Sequence, residues 1–297
     1  MASQPEGSPS SGEAPRAAAQ PALRHIWLCA DDYAIAPGVN VAIRDLVLRG
    51  RLNATSVMVV APTFNRSEAI SLTILNAGTR KVAIGLHLTL TAPFRPLTLG
   101  FAPLEEGAFL PLEPLMKAAY LRKLEPEPIA AEVRAQLAVF TAAFGRPPDF
   151  IDGHRHVHLL PQVREAVLAA AKELAPEAWV RQCGATAPLM QRLTDPKGLL
   201  IDWMSRRFRR RAQALGVATN PAFAGTYTYR EDADFAALFP GFLAAMPDGG
   251  LIMCHPGRVD AELERLDPLT TLREREYDYF LGDAFPRDLA AQGVALV

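Results

Sequence analysis

The run His25-Ile-Trp-Leu-Cys-Ala30 leads into Asp31-Asp32 and then, a few residues later, into Pro37-Gly38. The apolar run predicts a short buried strand. Proline fits the first position of a helix, so Pro37-Gly38 predicts a helix start. Apolar residues then recur at helical spacing up to Gly50, which ends the helix; they are Val39, Ala42, Ile43, Leu46 and Val47. A strand that runs into an amphipathic helix indicates an α/β unit.

The same alternation of strand and helix extends along the chain. Further strands are predicted over residues 54–60, 82–91, 149–152, 178–181 and 251–254. Helices are predicted over residues 66–77, 127–144, 197–215 and 232–246, after Pro161, and from Thr271 to beyond Glu274, with a last helix and strand behind them. Strands that are each followed by a helix predict an α/β fold, a distorted or incomplete (β/α) TIM-like barrel in a single domain.

The segment 92–126 interrupts this alternation. It holds six prolines and has no sustained period, which predicts a long crossing loop with at most short helices. Long loops in compact domains are often functional, because loops over the strand ends of a barrel decide what enters it. We therefore expect this segment to wall one side of a pocket.

Length and composition narrow the class of protein. The 297 residues are 49% apolar and 21% charged with a formal net charge of −1, which disfavours nucleic acid as a partner.

Residues 1–22 predict a disordered tail without the features of a secretory signal, and residues 23–297 predict one domain. No apolar run approaches the ~20 residues of a membrane span. We expect a cytoplasmic protein, and the sequence leaves open whether it forms a homo-oligomer.

Three cysteines, Cys29, Cys183 and Cys254, lie far apart and form no CxxC pair. An odd number of widely spaced cysteines predicts reduced thiols, in agreement with a reducing compartment. The same spacing argues against a structural zinc knuckle.

Histidines are concentrated where strands end. Five of the six lie in three short segments, namely His87 in one, His255 in another, and His154, His156 and His158 in the third. Each segment lies at or just after the end of a predicted strand, as does the pair Asp31-Asp32. Active sites of barrels are assembled at that face.

Carboxylates and imidazoles together suit a divalent metal ion. Adjacent carboxylates after an apolar run are costly to bury unless they are paired, hydrogen-bonded or bound to a cation. Successive side chains of a strand point to opposite faces. We therefore expect one carboxylate of the Asp31-Asp32 pair to bind the metal and the other to act as a nearby base. Imidazole favours zinc and oxygen favours magnesium, so the ion stays open between Mg and Zn.

Five motifs occur in an order that resembles a known family. They are Ala30-Asp-Asp-Tyr33 with Pro37-Gly-Val-Asn40, Ala54-Thr-Ser-Val-Met58, Ile84-Gly-Leu-His87, Ile151-Asp-Gly-His-Arg-His-Val-His158 and Met253-Cys-His-Pro256. On these motifs the chain resembles the YdjC-like carbohydrate deacetylases of the ChbG and HpnK type over about residues 24–297. Two positions depart from the family pattern: Tyr33 stands where Phe is usual and Gly153 where Ser is common. Neither change removes a ligand.

The resemblance implies both a fold and a reaction. The fold is a distorted (β/α) barrel, in agreement with the pattern of strands and helices. The implied enzyme is a metal-dependent hydrolase that removes the N-acetyl group of an N-acetylated amino sugar, either a chito-oligosaccharide or a glycolipid, and releases acetate. By resemblance, the metal ligands are Asp32, His87 and His154. Asp31 is the general base, and His255 is placed to protonate the leaving amine.

The ligand set by itself does not fix the substrate. A metallohydrolase of a phosphoester or a non-sugar amide, and a sugar-binding barrel without turnover, remain as alternatives. If the substrate is a sugar, Phe94 or Phe109 in the segment 92–126 is available to stack against the ring.

Three further features of the sequence have less specific interpretations. Strand alternation predicts that His154, His156 and His158 face one way, with the last two contacting substrate or supporting the ligands. Arg181, at a strand end, is a candidate to orient a catalytic carboxylate. The basic run 206–211 predicts a solvated helix face, near an anionic glycan or lipid headgroup, in preference to a nucleic-acid site.

Overall fold

The computed structural model describes residues 22–77, 82–185, 196–244 and 246–297. The predicted disordered tail lies outside these ranges apart from its last residue. Within them, no helix combines the length and the apolar character needed to cross a membrane.

The strands occur at nearly all of the predicted places. In chain order they are β1 (Arg24–Tyr33), β2 (Ala54–Val57), β3 (Ala83–Leu88), β4 (Leu104–Glu105), β5 (Ala108–Phe109), β6 (Phe150–Gly153), β7 (Trp179–Val180), β8 (Phe223–Ala224), β9 (Leu251–Cys254) and β10 (Val294–Leu296). The strands β4, β5 and β8 were not predicted, because runs of two residues carry no recognisable period.

The helices follow the predicted pattern as well. They are α1 (Pro37–Leu48), α2 (Arg66–Leu75), α3 (Leu112–Tyr120), α4 (Pro126–Phe144), α5 (Val163–Leu174), α6 (Pro196–Leu215), α7 (Phe235–Ala244), α8 (Ala261–Leu266), α9 (Thr271–Leu281) and α10 (Ala284–Ala291), with a 3₁₀ segment at His154–Leu159. Of these, α8 was not predicted. The segment 92–126 contains the short hairpin β4–β5 and the helix α3, so it has more regular structure than expected.

Seven strands form one parallel sheet in the order β7-β6-β3-β2-β1-β9-β8, β10 pairs in parallel with the start of β1, and β4 and β5 form a separate antiparallel pair. A single parallel bridge joins Ala185, just after β7, to Phe223 of β8 and brings the two edges of the sheet together. The Asn220 side chain supports this closure, because it bonds both the backbone N–H and the carbonyl of Gln182. The predicted distorted (β/α) barrel is confirmed.

The strand β1 is the centre of this sheet and its residues from Leu28 onward are buried. Asn53, just before β2, fixes it with two hydrogen bonds: its Oδ1 accepts from the Leu28 N–H at 2.7 Å and its Nδ2 donates to the Ile26 carbonyl at 2.9 Å. The helix α1 begins at Pro37 and buries the predicted apolar face, including Val39 and Ile43. Local pattern and packing agree here.

Some boundaries differ from the prediction. The strands β2 and β3 stop at Val57 and Leu88, before the predicted ends at residues 60 and 91, because the chain leaves the sheet to form the loops above it. The helix α9 begins at Thr271 without a side-chain cap. The Glu274 side chain, expected to close a capping box, accepts instead from the Val259 N–H at 3.4 Å.

Close packing of β3 against β6 gives a test of the fold. A Cβ added at Gly85 would lie 2.4 Å from the Phe150 ring, which is fully buried. We expect Gly85→Ala to lower the free energy of unfolding by about 1–3 kcal/mol through overpacking, measured by urea denaturation. The control is Gly100→Ala, since an added Cβ there meets nothing within 4 Å. Equal stability of the two variants would contradict this packing.

Candidate active site

A cavity of about 370 Å³ opens at the carboxyl ends of the barrel strands. Five predicted site residues line it, namely Asp31, Asp32, His87, His154 and His255. They come from β1, β3, the segment after β6 and the residue after β9. The structure therefore brings together residues that are up to 224 positions apart in the chain.

The two adjacent aspartates both line this cavity, and, as expected, only one of them, Asp32, belongs to the cluster with His87 and His154. The pairing of β1 with β2 shifts register between Ala30 and Tyr33, and Asp32 has a left-handed backbone with φ of 66°. A bulge of this kind redirects a side chain at the rim of a barrel. A left-handed non-glycine residue is costly and concentrates at functional sites.

Asp32, His87 and His154 form a buried cluster whose donor atoms lie within 4.8 Å of one another. The Asp32 Oδ1 atom is 3.2 Å from His87 Nε2 and 2.9 Å from His154 Nδ1. The other oxygen of this carboxylate, Oδ2, accepts from the Arg273 guanidinium at 2.6 Å. One Asp32 oxygen is thus held by arginine, while the other faces the two imidazoles.

Asp152 and Ser56 fix the orientation of the His87 ring through its Nδ1 atom. Its Nδ1 lies 2.6 Å from Asp152 Oδ1 and 2.9 Å from Ser56 Oγ. With the Nδ1 proton donated to Asp152, the neutral ring has its lone pair on Nε2, pointed at the Asp32 carboxylate. Two electron-rich atoms face each other there, and a cation between them would remove the repulsion. Metal-binding histidines commonly have such a carboxylate behind them.

The pKa values of His87 and Asp32 also indicate that this cluster favours a positive charge. Burial alone would lower the pKa of His87, but the carboxylates of Asp152, Asp31 and Asp32 raise it to about 10. Burial opposes ionisation of Asp32, and Arg273 and His154 nevertheless hold the pKa of that carboxyl well below its usual range. The cluster is built to hold a positive charge, and its oxygen and nitrogen donors fit a divalent metal ion.

A second buried group of potential ligands, Cys29, Asp31 and Asp152, already surrounds a cation. The fully buried Arg181 donates to both oxygens of Asp31 at 2.6 Å and lies 2.5 Å from Asp152 Oδ2. The guanidinium therefore occupies the position that a metal would need. As the sequence suggested, Arg181 lies where it orients the Asp31 carboxylate.

The segment after β6 does not continue as a strand, so the predicted alternation of His154, His156 and His158 is wrong. Arg155 and His156 adopt left-handed backbone angles inside a 3₁₀ segment, with φ of 54° and 59°. His156 lines the cavity, with its Nδ1 3.5 Å from the Cys183 sulfur. His158 turns into the core, and its Nε2 lies 2.9 Å from the Arg181 carbonyl. Its role is to support the barrel.

His255 lies at the edge of the cavity, between β9 and the helix α9. Its backbone N–H donates to Glu276 Oε2 at 2.5 Å, and the Tyr229 ring meets its imidazole edge-on at 5.8 Å. The imidazole Nδ1 is buried and has no hydrogen-bond partner among the described residues. Burial of the ring lowers the pKa of His255 to about 4, so the imidazole is neutral at neutral pH.

Three buried residues of the site were not predicted: Asp152, Arg273 and Glu276. Asp152 stands opposite His87 in the parallel pairing of β3 with β6, a relation that the sequence does not show. Arg273 and Glu276 come from α9, where their spacing resembles an ordinary polar helix face. Burial raises the pKa of Glu276 to about 7 although Tyr227 and the His255 backbone donate to it. No local motif marks either residue.

The predicted wall from the segment 92–126 is present, but its residues differ. Leu112 and Met116 of α3 line the cavity. Phe94 is buried edge-on against His154, and Phe109 is fully buried against Phe101. Both phenylalanines are buried and neither lines the cavity, so neither offers a face to a sugar ring there.

Comparison with known proteins places the chain among related sequences. The sequence model of the YdjC-like protein family matches residues 25–291. Chitooligosaccharide deacetylases are 36% identical over 148 residues in Yersinia pestis bv. Antiqua (strain Angola) and 35% identical over 148 residues in Yersinia pseudotuberculosis serotype O:1b (strain IP 31758). Each alignment covers 48% of this chain and 54% of the relative. The chain thus spans about half the length of the curated relatives it matches.

A solved structure shares the fold along nearly the whole chain. It is a protein from Enterococcus faecalis V583 named for the cleavage of cellobiose phosphate, with a TM-score of 0.71 and 22% sequence identity. The match covers 93% of this chain and 97% of the other. At this identity the likeness shows the fold alone.

The Asp152 carboxylate, which contacts His87 Nδ1, gives a test of the cluster. We expect Asp152→Asn to lower the pKa of His87 in metal-free protein by about 1 to 3, because it removes a buried negative charge. The measurement is an NMR titration of the His87 ring protons, with the exposed Asp232→Asn as control. In the native protein the His87 contribution to stability is full below pH 6.5 and is lost as the pH rises through about 10. An unchanged His87 pKa in Asp152→Asn would refute this arrangement.

Proposed function

This chain belongs to the YdjC-like protein family, and we propose that it is a metal-dependent deacetylase that hydrolyses the N-acetyl group of an N-acetylated amino sugar and releases acetate. The observation that carries the proposal is the convergence of Asp32, His87 and His154 beside the arginine-held carboxylate of Asp31 in one cavity. The relatives named chitooligosaccharide deacetylase favour a chito-oligosaccharide as the substrate. An N-acetylated amino sugar carried on a lipid is the second candidate of the same chemical class.

Asp32, His87 and His154 would hold one divalent ion, Mg or Zn, of which two imidazoles favour zinc. When bound, such an ion supplies a Lewis acid that polarises the amide carbonyl and lowers the pKa of water. The protein's own contribution is the fixed direction of the donors. Arg273 restrains Asp32 and Asp152 restrains His87, so neither ligand has to reorient when the ion binds.

Asp31 serves as the proton acceptor. Its carboxylate lies next to Asp32 in the chain and lines the same cavity, yet Arg181 holds both of its oxygens. This pairing fixes the orientation of the carboxylate toward the cavity. A general base has to be ionised and within reach of the water that attacks the amide carbon.

His255 delivers the proton to the departing amine. Because its imidazole is neutral at neutral pH, it has to take up a proton before it gives one. The attack of water on the amide releases that proton to Asp31, and from there it reaches the leaving nitrogen through His255. The bond from the acetyl carbon to nitrogen then breaks, giving acetate and a free amine. Glu276 holds the His255 backbone, and so fixes where the imidazole stands.

The substrate pocket combines this polar end with an apolar wall. Leu112, Met116, Ile201 and Met204 line the side formed by α3 and α6. A volume of about 370 Å³ lies within the range of small-molecule sites, about 300–1,000 Å³. The apolar wall suits the C–H face of a pyranose or the first carbons of an attached lipid.

Acetate release tests the proposal. We expect purified protein to release acetate from N-acetylglucosamine oligomers or from N-acetylglucosaminyl lipids, to lose this activity with a chelator, and to regain it with Zn²⁺ or Mg²⁺. Phosphomonoesters serve as the comparison substrate, assayed by phosphate release. Phosphate release without acetate would establish a different metallohydrolase, and sugar binding without acetate release at any metal concentration would establish a binding protein.

Substitution of the proposed base separates its role from that of a ligand. We expect Asp31→Asn to keep the bound metal and to lose turnover by at least roughly 100-fold, because it removes the proton acceptor and spares the ligands. Metal content is measured by elemental analysis, folding by circular dichroism, and acetate release by kinetics. The exposed Asp232→Asn is the control. Loss of the metal together with the activity would make Asp31 a ligand.

A further inference from the structure

A second cavity, of about 170 Å³, lies beside the first, between the end of α3, the start of α5 and the helix α6. Three arginines line it, Arg122, Arg164 and Arg207, together with Tyr120 and Trp203. Each arginine comes from a different part of the chain. The basic run 206–211 is therefore more than a solvated helix face, because one of its arginines contributes to a concave site.

The positive charge in this cavity is largely unbalanced. Arg164 Nε lies 3.2 Å from Glu165 Oε1, but the other oxygen of that carboxylate is held by Arg211 at 2.7 Å. Within the described ranges, neither Arg122 nor Arg207 forms an ion pair with a carboxylate. Arg122 and Arg207 are exposed and line the same concave surface as Arg164, so an anion in the cavity would be attracted by three positive charges.

An aromatic side chain, Trp203, holds Arg207 in place. The Arg207 guanidinium lies over the Trp203 ring at 4.2 Å, and the Trp203 and Tyr120 rings are 6.0 Å apart. Stacking of this kind fixes the plane of a guanidinium before a ligand arrives. Burial raises the pKa of Tyr120, and the charges of Arg164 and Arg207 oppose that rise.

The backbone of Arg122 has an unusual conformation. Arg122 follows the end of α3 in a left-handed conformation, with φ of 53°. Glycine usually takes this position after a helix because it adopts such angles without cost. Here an arginine takes it, and its side chain lines the cavity.

We propose that Arg122, Arg164 and Arg207 form a binding site for a phosphate group, with the Tyr120 hydroxyl as a further donor. Guanidinium groups bind phosphate oxygens in pairs, and the cavity has room for one phosphate with part of its ester. The phosphate belongs either to a small soluble ester or to a lipid headgroup. Met204 lines both cavities, so the bound phosphate lies one side chain away from the catalytic pocket. The site is independent of the proposed deacetylation.

Calorimetric titration with inorganic phosphate tests the site, with chloride at matched ionic strength as the reference anion. We expect saturable binding to the full chain, weakened at least 10-fold in Arg207→Met and less in Arg207→Lys, which keeps the charge and loses the planar fork. The matched control is Arg209→Met, an exposed arginine of the same helix that does not line the cavity. Circular dichroism verifies that each variant is folded.

Two further arms identify the source of the phosphate. Glycerol phosphate represents a soluble ester, and vesicles of phosphatidylglycerol, compared with vesicles of phosphatidylcholine, represent a lipid surface. Binding to either probe that is lost in Arg207→Met and retained in Arg209→Met supports the site and names its ligand. Equal weakening in the two variants, or no binding of any phosphate probe, overturns it.

Discussion

The buried pairing of Arg181 with Asp31 and Asp152 is the interaction on which the rest of the site depends. A guanidinium without exposed surface is stable only where carboxylates surround it, because removing a charge from water is costly. Arg181 reaches these partners from β7, across the barrel, and so joins the ends of β1, β6 and β7. The same contact fixes Asp31, and through Asp152 it fixes the ring of His87.

The net charge of this network fits a divalent cation. Asp31, Asp32, Asp152 and Asp267 are linked by Arg181 and Arg273. Four carboxylates against two guanidiniums leave two negative charges unbalanced when the imidazoles are neutral. One divalent ion at the Asp32 cluster would neutralise them, and the raised pKa of His87 shows that a proton on its ring answers the same negative charge. Metal and proton therefore compete for the same position, so that metal binding should release a proton.

Backbone irregularities place the side chains that this chemistry needs. A regular strand would point Asp31 and Asp32 apart, and the bulge at the end of β1 brings both to one cavity. A regular strand would also point His154 and His158 the same way, yet the left-handed residues between them send His158 into the core. Such conformations cost free energy and persist where the surrounding packing fixes them.

The sequence by itself determined the elements with strong periods: the strand β9 at its predicted bounds, the helix α1 from Pro37, and the helix α4 ending at Gly145. It also singled out the five candidate site residues that the structure brings to one cavity, because motifs at strand ends are local. Only the tertiary structure decided the roles of Arg273 and Glu276, whose spacing on α9 matches any polar helix face. Their burial against residues from β1 and β9 is a long-range contact. The pattern of neighbouring residues in the sequence cannot show such a contact. The contact is stabilised by charged groups that are distant in the chain and come together only when the barrel folds.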